Sequence, residues 1–558
     1  MIDRLPVKTV RLLLIPAVAL LFLGLGANTI WDANEAFYVE TPRQMLISGD
    51  YINPVFNGEP RMNKPVLSYW VVAGLYHLFG TSVGVERLGI AIGAVGILLA
   101  AFIYGRALRS ALTGWLSVLI VATAPQFVMF SRRIFIDIWV TMFMTLTIAC
   151  FVLAETQPSH RKRWLALMYV AIGLGVLTKG PVALVFPAGA IGLWLLLERR
   201  LSDITKLWII PGALIVLAIN VPWWWAIYSQ KGIDPIKAFW LGENFGRYTE
   251  AMQPGERDFF FYVPVVLGDL FPWTVFVVGG LMAGAAAVWR RTEPLPVRRL
   301  LMIWIVLLVG VFSFSETKQD LYVFPIVPAI AALAAEFIVI GLERSGKVVR
   351  LCLGVTSVLL IIVGVGVSRL FGLFAVGHII SGATEMAAVL VIGSLIVAFL
   401  AIRRRDAAAV IALAGTLVIT NYAFALMALP AVEEYKPVLP MVRTIQSRTQ
   451  PGQPPPVVAH YITSLPSFVY YLDRPVEDYF GLSALLDRAQ AVPEMYALMR
   501  PHEYADFEIG ARSRGLTFCI VERRTLLEAK LKLVLEGKPW PEVFLAGTGQ
   551  ACALSGKH

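Results

Sequence analysis

The sequence predicts a polytopic α-helical membrane protein with a C-terminal α/β domain outside the membrane, and three observations carry that expectation. Of 558 residues, 58% are apolar and only 15% charged, with a mean hydropathy of +0.70; soluble domains are nearer half apolar and a quarter charged. Apolar runs recur that approach or exceed the length of a membrane-spanning helix, about 20 residues. After Pro430 these runs stop, and short strand-like and helix-like segments replace them.

The runs fall at roughly 11–30, 88–106, 113–130, 138–154, 164–178, 181–197, 207–226, 263–288, 300–315, 322–342, 350–368, 385–402 and 407–428. The first lacks a small-residue cleavage site and reads as an uncleaved span rather than a signal peptide. Between the runs lie basic clusters: Lys8/Arg11, Arg106/Arg109, His160–Arg163, Arg199/Arg200, Arg290/Arg291 with Arg298/Arg299, Arg344/Lys347/Arg350, and Arg403–Arg405. With about thirteen spans and the N-terminus inside, every cluster lies on the cytoplasmic side. The net charge of +10 is then the positive-inside bias of a membrane protein and not a nucleic-acid footprint.

That alternation requires "KPVLSYWVVAGLYHLFG", Lys64 to Gly80, not to cross. Its apolar stretch is shorter than a span of about 20 residues, so it reads as an interfacial or re-entrant helix within one long external loop, residues 31–87. The expected division is a transmembrane domain, 1–429, and an external α/β domain, 430–558. In the latter, "PVVAHYI" and "LTFCIVERR" read as strands, "SLPSFVYYLDRPV" as a short helix and "TLLEAKLKLVLEG" as an amphipathic helix, with "GQPPP" as the lead-in. Of four cysteines, only Cys519 and Cys552 are candidates to pair. The six histidines form no metal-ligand spacing.

The threading gathers mixed charge on the external side: Arg132, Arg133 and Asp137 in "SRRIFID", Lys179 in "TKGP", Arg247, and Lys318 and Asp320 in "SETKQD". Single basic residues there are explained by snorkelling to headgroups; several loops together indicate a polar cavity. Asp32 and Glu35, three apart, share a helix face and serve either as helix caps or as catalytic acids. Asp32 stands at the lip of the first span, where an ion needs a partner or a task. Asp137 lies four residues after Arg133, a helical ion-pair spacing, or faces the same site as Asp32. Carboxylates stabilise positive charge developing at an anomeric carbon and take a proton from a hydroxyl acceptor. Lys64, Lys179, Arg247 and Lys318 supply the charge that a lipid phosphate needs.

The segments "WDANEAFYVETPRQM", "MNKPVLSYW", "RRIFIDIWV", "LTKGPVALVFP", "ENFGRYTE", "FFYVPVVLGDLFPW" and "FSFSETKQDLYVFPIVPAIA" resemble, in this order, the C-type-fold glycosyltransferases that use polyprenyl-phosphate sugars. Within them the chain is similar to the bacterial branch related to protein O-mannosyltransferases, nearest to the lipid A 4-amino-4-deoxy-L-arabinose transferases. The resemblance implies an inverting transfer of that sugar from undecaprenyl phosphate to lipid A phosphates at the periplasmic face of the inner membrane, and with it resistance to cationic peptides. The alternatives are a related transferase of another sugar to a lipid or to protein Ser/Thr, or a polyprenyl-lipid transporter. A transporter predicts mid-span charges and repeated halves, neither of which the sequence shows.

By the same resemblance Asp32 and Asp137 match the acids of the first and second loops, Lys64 approaches the carrier phosphate, and Arg247 and Lys318 face the same cavity. Glu35 joins the catalytic candidates, Lys179 the phosphate ligands, and Arg132, Arg133 and Asp320 the remaining cavity wall. "WDANEAFYVE" departs from the commoner acid-Glu-x-Arg-Tyr form, and no His follows "FGRYTEAMQPGE", where relatives often carry one. No metal ligand is therefore assigned, with a divalent metal left as the alternative.

Overall fold

The computed structural model describes residues 5–32, 34–133, 136–246, 257–290, 297–371, 380–449, 454–526 and 540–553. Each apolar run named above overlaps a helix or a bent pair of helices, although the helix of the first run, 11–30, ends at Ala19. Among the described residues, seven helices are long and apolar enough to cross a membrane, and nine if each of two bent pairs is one span. Helices Val7–Ala19, Val182–Leu197 and Val297–Ser313 are shorter, at 13, 16 and 17 residues, and Arg161–Lys179 opens on three basic residues.

The two bent pairs depart from the straight spans expected at 113–130 and 263–288. Ala111–Thr123 turns by 72° into Pro125–Ser131, and Phe259–Asp269 by 114° into Thr274–Arg290. Pro125 and Pro272 stand at the breaks. A proline has no N–H for the helical ladder and its ring displaces the preceding turn, so an unbroken apolar run becomes two helices.

Helices Val83–Leu108, Ile136–Thr156 and Phe324–Arg344 lie at the centre, most of their residues buried, whereas Ile209–Lys231 is largely exposed. Small residues permit the closest approaches. At Gly280 an added Cβ would stand 2.7 Å from the carbonyl carbon of Leu333 on the facing helix.

The long first loop is a folded unit. Helix Asn34–Ser48 is followed by a hairpin of β1 (Val55–Phe56) and β2 (Glu59–Pro60), then by helix Leu67–Phe79. The hairpin turns on Asn57 and Gly58, with φ of 54° and 81°, the two positive values that make Asn-Gly the favoured two-residue turn. Helix Leu67–Phe79 has 13 residues, so it extends about 20 Å against a hydrocarbon core of about 30 Å. It packs on the preceding helix through stacked Tyr38 and Tyr69, ring centres 5.6 Å apart.

In the C-terminal part, strands β3 (Val457–Tyr461), β4 (Glu477–Tyr479), β5 (Glu494–Met499), β6 (Phe518–Thr525) and β7 (Glu542–Gly549) form one sheet in the order β4-β3-β5-β7-β6. β3 runs parallel to β4 and β5; β7 is antiparallel to β5 and β6. Because strand side chains alternate between faces, Val458, Tyr496 and Leu498 pack under helices Val438–Arg448 and Ser467–Leu472. Ala459, Met495 and Ala497 pack under Leu482–Ala491 and Pro501–Ser513. A disulfide joins Cys519 on β6 to Cys552 just after β7. Most of the amphipathic helix expected at 525–537, and part of "GQPPP", lie outside the described residues.

The contact at Gly280 yields a prediction. Gly280→Ala should lower stability by about 1–3 kcal/mol through overpacking. Gly354→Ala, whose added Cβ meets nothing within 4 Å, should be neutral or slightly stabilising. Thermal unfolding of the purified protein reads both, and equal effects would disprove the close approach.

Candidate active site

Asp137 lies in the first turn of helix Ile136–Thr156, where the helix dipole favours an acid. Lys179 is the last residue of helix Arg161–Lys179, the end that favours a cation. The chain leaves that helix through Gly180, at φ 106°, a conformation that side-chain-bearing residues rarely adopt, and Pro181 starts the next turn. These two ends meet: the Lys179 ammonium donates to the Asp137 carboxylate. Lys179 Nζ also lies 5.0 Å from the ring centre of Tyr322.

Lys64, just ahead of helix Leu67–Phe79, donates to Glu243 Oε2 at 3.0 Å. Asp137, Lys179, Lys64 and Glu243 line one cavity of about 160 Å³. Three aromatic rings stand in its wall, with Phe312 between Phe186 and Tyr322 at ring distances of 4.9 and 5.0 Å. Of the other basic and acidic residues expected here, Lys318 holds the backbone behind this wall, donating to the Ser315 carbonyl at 2.7 Å. Asp320 is exposed and accepts from Arg257 at 3.3 Å. Arg247 lies outside the described residues. Glu243 opens the segment "ENFGRYTE" but was not anticipated as a site residue; its signal was an acid beside the Arg247 already singled out there.

Beside this cavity runs an apolar groove of about 950 Å³ between helices Val182–Leu197, Thr274–Arg290 and Val297–Ser313. Leu193, Val288, Met302, Val306 and Leu307 line it, Arg299 is its charged residue, and Val311 borders both groove and cavity. An apolar channel thus abuts a chamber that holds two lysines.

Asp32 is elsewhere. Asp32 and Asp137, expected to face one site, line separate cavities with no lining residue in common. Asp32 accepts from Ser467 N–H at 2.7 Å and from Ser467 Oγ–H at 2.6 Å. Ser467 opens helix Ser467–Leu472, so Asp32 satisfies the free N-terminus of a helix 435 residues away in sequence. Burial pushes its carboxyl above the ordinary Asp value, and the two Ser467 bonds oppose the rise. Glu35 is likewise engaged, accepting from Arg87 at 3.1 Å and from the Trp31 N–H at 2.7 Å.

Arg132 and Arg133 end the turn after helix Pro125–Ser131 and line a third cavity, of about 450 Å³. Among the described residues no group of three His, Cys, Asp or Glu is placed to hold a metal. The two carboxylates of the Asp137 cavity are each paired with a lysine.

Residues 7–232 match the family model for dolichyl-phosphate-mannose-protein mannosyltransferase. An uncharacterized protein of Aquifex aeolicus is 32% identical over 337 residues, 59% of this chain and 64% of that protein. The undecaprenyl phosphate-alpha-4-amino-4-deoxy-L-arabinose arabinosyl transferase of Edwardsiella ictaluri is 29% identical over 375 residues, 64% of this chain and 66% of that one. The matches thus span just under two thirds of these relatives' lengths. The crystal structure of ArnT from Cupriavidus metallidurans bound to undecaprenyl phosphate superposes at a TM-score of 0.77, with 19% identity, over 96% of this chain and 97% of that one. An oligosaccharyltransferase of Archaeoglobus fulgidus reaches 0.51, at 14% identity, over 88% and 69%. The fold is that of the C-type membrane glycosyltransferases, and the resemblance drawn from the sequence segments is shown by these matches.

The position of Asp32 makes a prediction. Asp32→Ala removes two bonds to a charged acceptor, each worth about 1.5–3 kcal/mol, and should loosen residues 467–472 in hydrogen exchange. Asp32→Asn keeps one acceptor oxygen and should lose much less. Intact protection together with lost turnover in Asp32→Asn would instead assign Asp32 to the chemistry.

Proposed function

We propose that this chain, related in sequence to the polyprenyl-phosphate-sugar glycosyltransferases and sharing their fold, transfers a sugar from undecaprenyl phosphate to a lipid acceptor at the outer face of the bacterial inner membrane. The single observation that carries the reading is the junction at Val311, where an apolar groove meets the cavity of Lys64, Lys179 and Asp137. A polyprenyl phosphate has that form: a long apolar chain ending in an anion. In the finer reading the sugar is 4-amino-4-deoxy-L-arabinose, as in the names of the relatives, and the acceptor is a lipid A phosphate, as the sequence resemblance implies.

In this mechanism the carrier phosphate enters between Lys64 and Lys179 and takes the place that the Glu243 and Asp137 carboxylates hold on these lysines. Lys64 and Lys179 neutralise the phosphate as it leaves. The bond between anomeric carbon and phosphate oxygen breaks, the electron pair departs with the phosphate, and the acceptor oxygen attacks from the opposite face, inverting the centre. Asp137, freed from Lys179, stabilises the positive charge developing on the sugar. An acceptor phosphate is already ionised near neutral pH and needs no base. A second reading, supported by the match to a protein mannosyltransferase family, has a hydroxyl acceptor; Asp137 then takes its proton, a contribution of about 10²–10⁴-fold.

The outward orientation draws on the basic clusters lying on one side of the threaded chain. It draws also on the Cys519–Cys552 disulfide, a bond that persists in oxidising compartments. Residues 430–558 form the external domain in this reading.

Lys64→Ala and Lys179→Ala should each weaken undecaprenyl phosphate binding by about 10- to 150-fold, the loss of one charge-assisted bond to phosphate. Asp137→Asn should keep binding and lose turnover. Wild-type donor affinity in both lysine variants would refute the phosphate site. Mass spectrometry of lipid A from cells with and without the gene tests the sugar and acceptor: a mass increment of one aminoarabinose residue, with no added phosphate, confined to the former is the expected result.

A further inference from the structure

We propose that the cavity at Arg132 and Arg133 is a second lipid site, which takes the phosphate of a diacyl lipid at its guanidinium end and an acyl chain along its wall, and that this lipid is the acceptor. Only the word acceptor rests on the functional reading above; the lipid site stands on its own geometry.

The cavity, about 450 Å³, has two chemically different ends. Val367, Ile380, Ala383, Met386 and Leu429 make an aliphatic wall, and Arg132, Arg133 and Trp31 close the other end. The two Trp31 contacts are cationic: the Arg133 guanidinium lies 4.5 Å from its ring centre and Lys436 Nζ 4.0 Å. Arg132 is only 5% exposed. Among the described residues its donor contacts go to backbone carbonyls alone: Leu20, Leu23 at 2.6 Å and Gly24 at 3.3 Å. Its Nε makes no hydrogen bond. The nearby carboxylates are engaged by other cations, Glu35 by Arg87 and Glu433 by Lys436.

A buried guanidinium with no counter-ion is costly in an apolar surrounding. A bound anion supplies the missing charge, and the planar fork of Arg suits phosphate oxygens. The aliphatic wall excludes a free inorganic ion as the natural occupant, because most of the cavity offers it no donor. A phosphate on an acyl-bearing lipid satisfies both ends. The place is also apt for an acceptor. Asp137 follows Arg133 by four residues, so one short stretch of sequence contributes Arg132 and Arg133 to this cavity and Asp137 to the donor cavity.

The test uses full-length protein in nanodiscs, with dioleoyl phosphatidate as the probe and dioleoyl phosphatidylcholine and inorganic phosphate as comparisons. Phosphatidate should bind at least tenfold tighter than phosphatidylcholine. Arg132→Gln, Arg133→Gln and Ala383→Phe should each cut that binding tenfold or more, while undecaprenyl phosphate affinity stays within twofold of wild type. Arg132→Gln also removes the carbonyl bonds that hold the first turn, so Arg133→Gln and Ala383→Phe decide the matter should that variant not fold. In turnover, phosphatidate should compete with the acceptor lipid and not with the donor. No preference for phosphatidate, or no response to the variants, overturns the lipid site. So does inorganic phosphate binding equally well with Ala383→Phe silent, which marks a soluble anion. Competition against the donor overturns the acceptor assignment. Failure of wild-type protein to bind undecaprenyl phosphate would sink the donor reading and leave the phosphatidate result standing.

Discussion

The guanidinium of Arg87 is 3% exposed and the Glu35 carboxylate beside it 1%. Two charges taken out of water cost several kcal/mol each unless hydrogen bonds complete their shells. Here the carbonyls of Leu25, Asn28 and Thr29 accept from the two terminal nitrogens of the guanidinium at 2.8 to 3.0 Å. The chain leaving the first helix is therefore held in place: three carbonyls within residues 25–29 are tied to helix Val83–Leu108. That tether positions the start of helix Asn34–Ser48, the ring of Trp31 and the carboxylate of Asp32. Those two residues in turn meet Arg133, Lys436 and Ser467. Much of what joins the helical part to the sheet-bearing part hangs on this pair.

The other charges on the same side are solved in two ways, and the difference separates the cavities. Around Asp137 each lysine holds a carboxylate of the protein itself, Lys179 with Asp137 and Lys64 with Glu243. Such pairs are exchangeable, since an arriving phosphate can replace either carboxylate at little net cost. Arg132 is held by carbonyl dipoles instead, which orient it without neutralising it. The one arrangement suits a ligand that comes and leaves as its charge changes. The other suits a ligand that brings a fixed negative charge.

Much of the helical architecture was legible because apolar runs are continuous and basic clusters punctuate them. The breaks at Pro125 and Pro272 were not read, since apolar composition runs straight through each and only the missing N–H marks the turn. In the C-terminal part β3 and β6 were visible as β-branched runs. β5, "EMYALM", and β7, "EVFLAGTG", were not: neither alternates cleanly, because both faces of the sheet are covered by helices and both sets of side chains are buried. Asp32 shows the limit for sites. Its charge at the end of an apolar run was a correct sign that it needed a partner, but the partner, Ser467, lies 435 residues on, beyond any local pattern. Lys64, Asp137 and Lys179 were gathered on one side by counting spans, and the structure places them in one cavity with Glu243.

A structure of the full-length protein in a lipid nanodisc with undecaprenyl phosphate bound tests the donor site most directly. The expected result is phosphate density between Lys64 and Lys179, Glu243 and Asp137 turned away from them, and the polyprenyl chain leaving past Val311 along the groove of Leu193 and Val306. Phosphate density beside Asp32 and Lys436, with the Lys179–Asp137 and Lys64–Glu243 pairs intact, would contradict it.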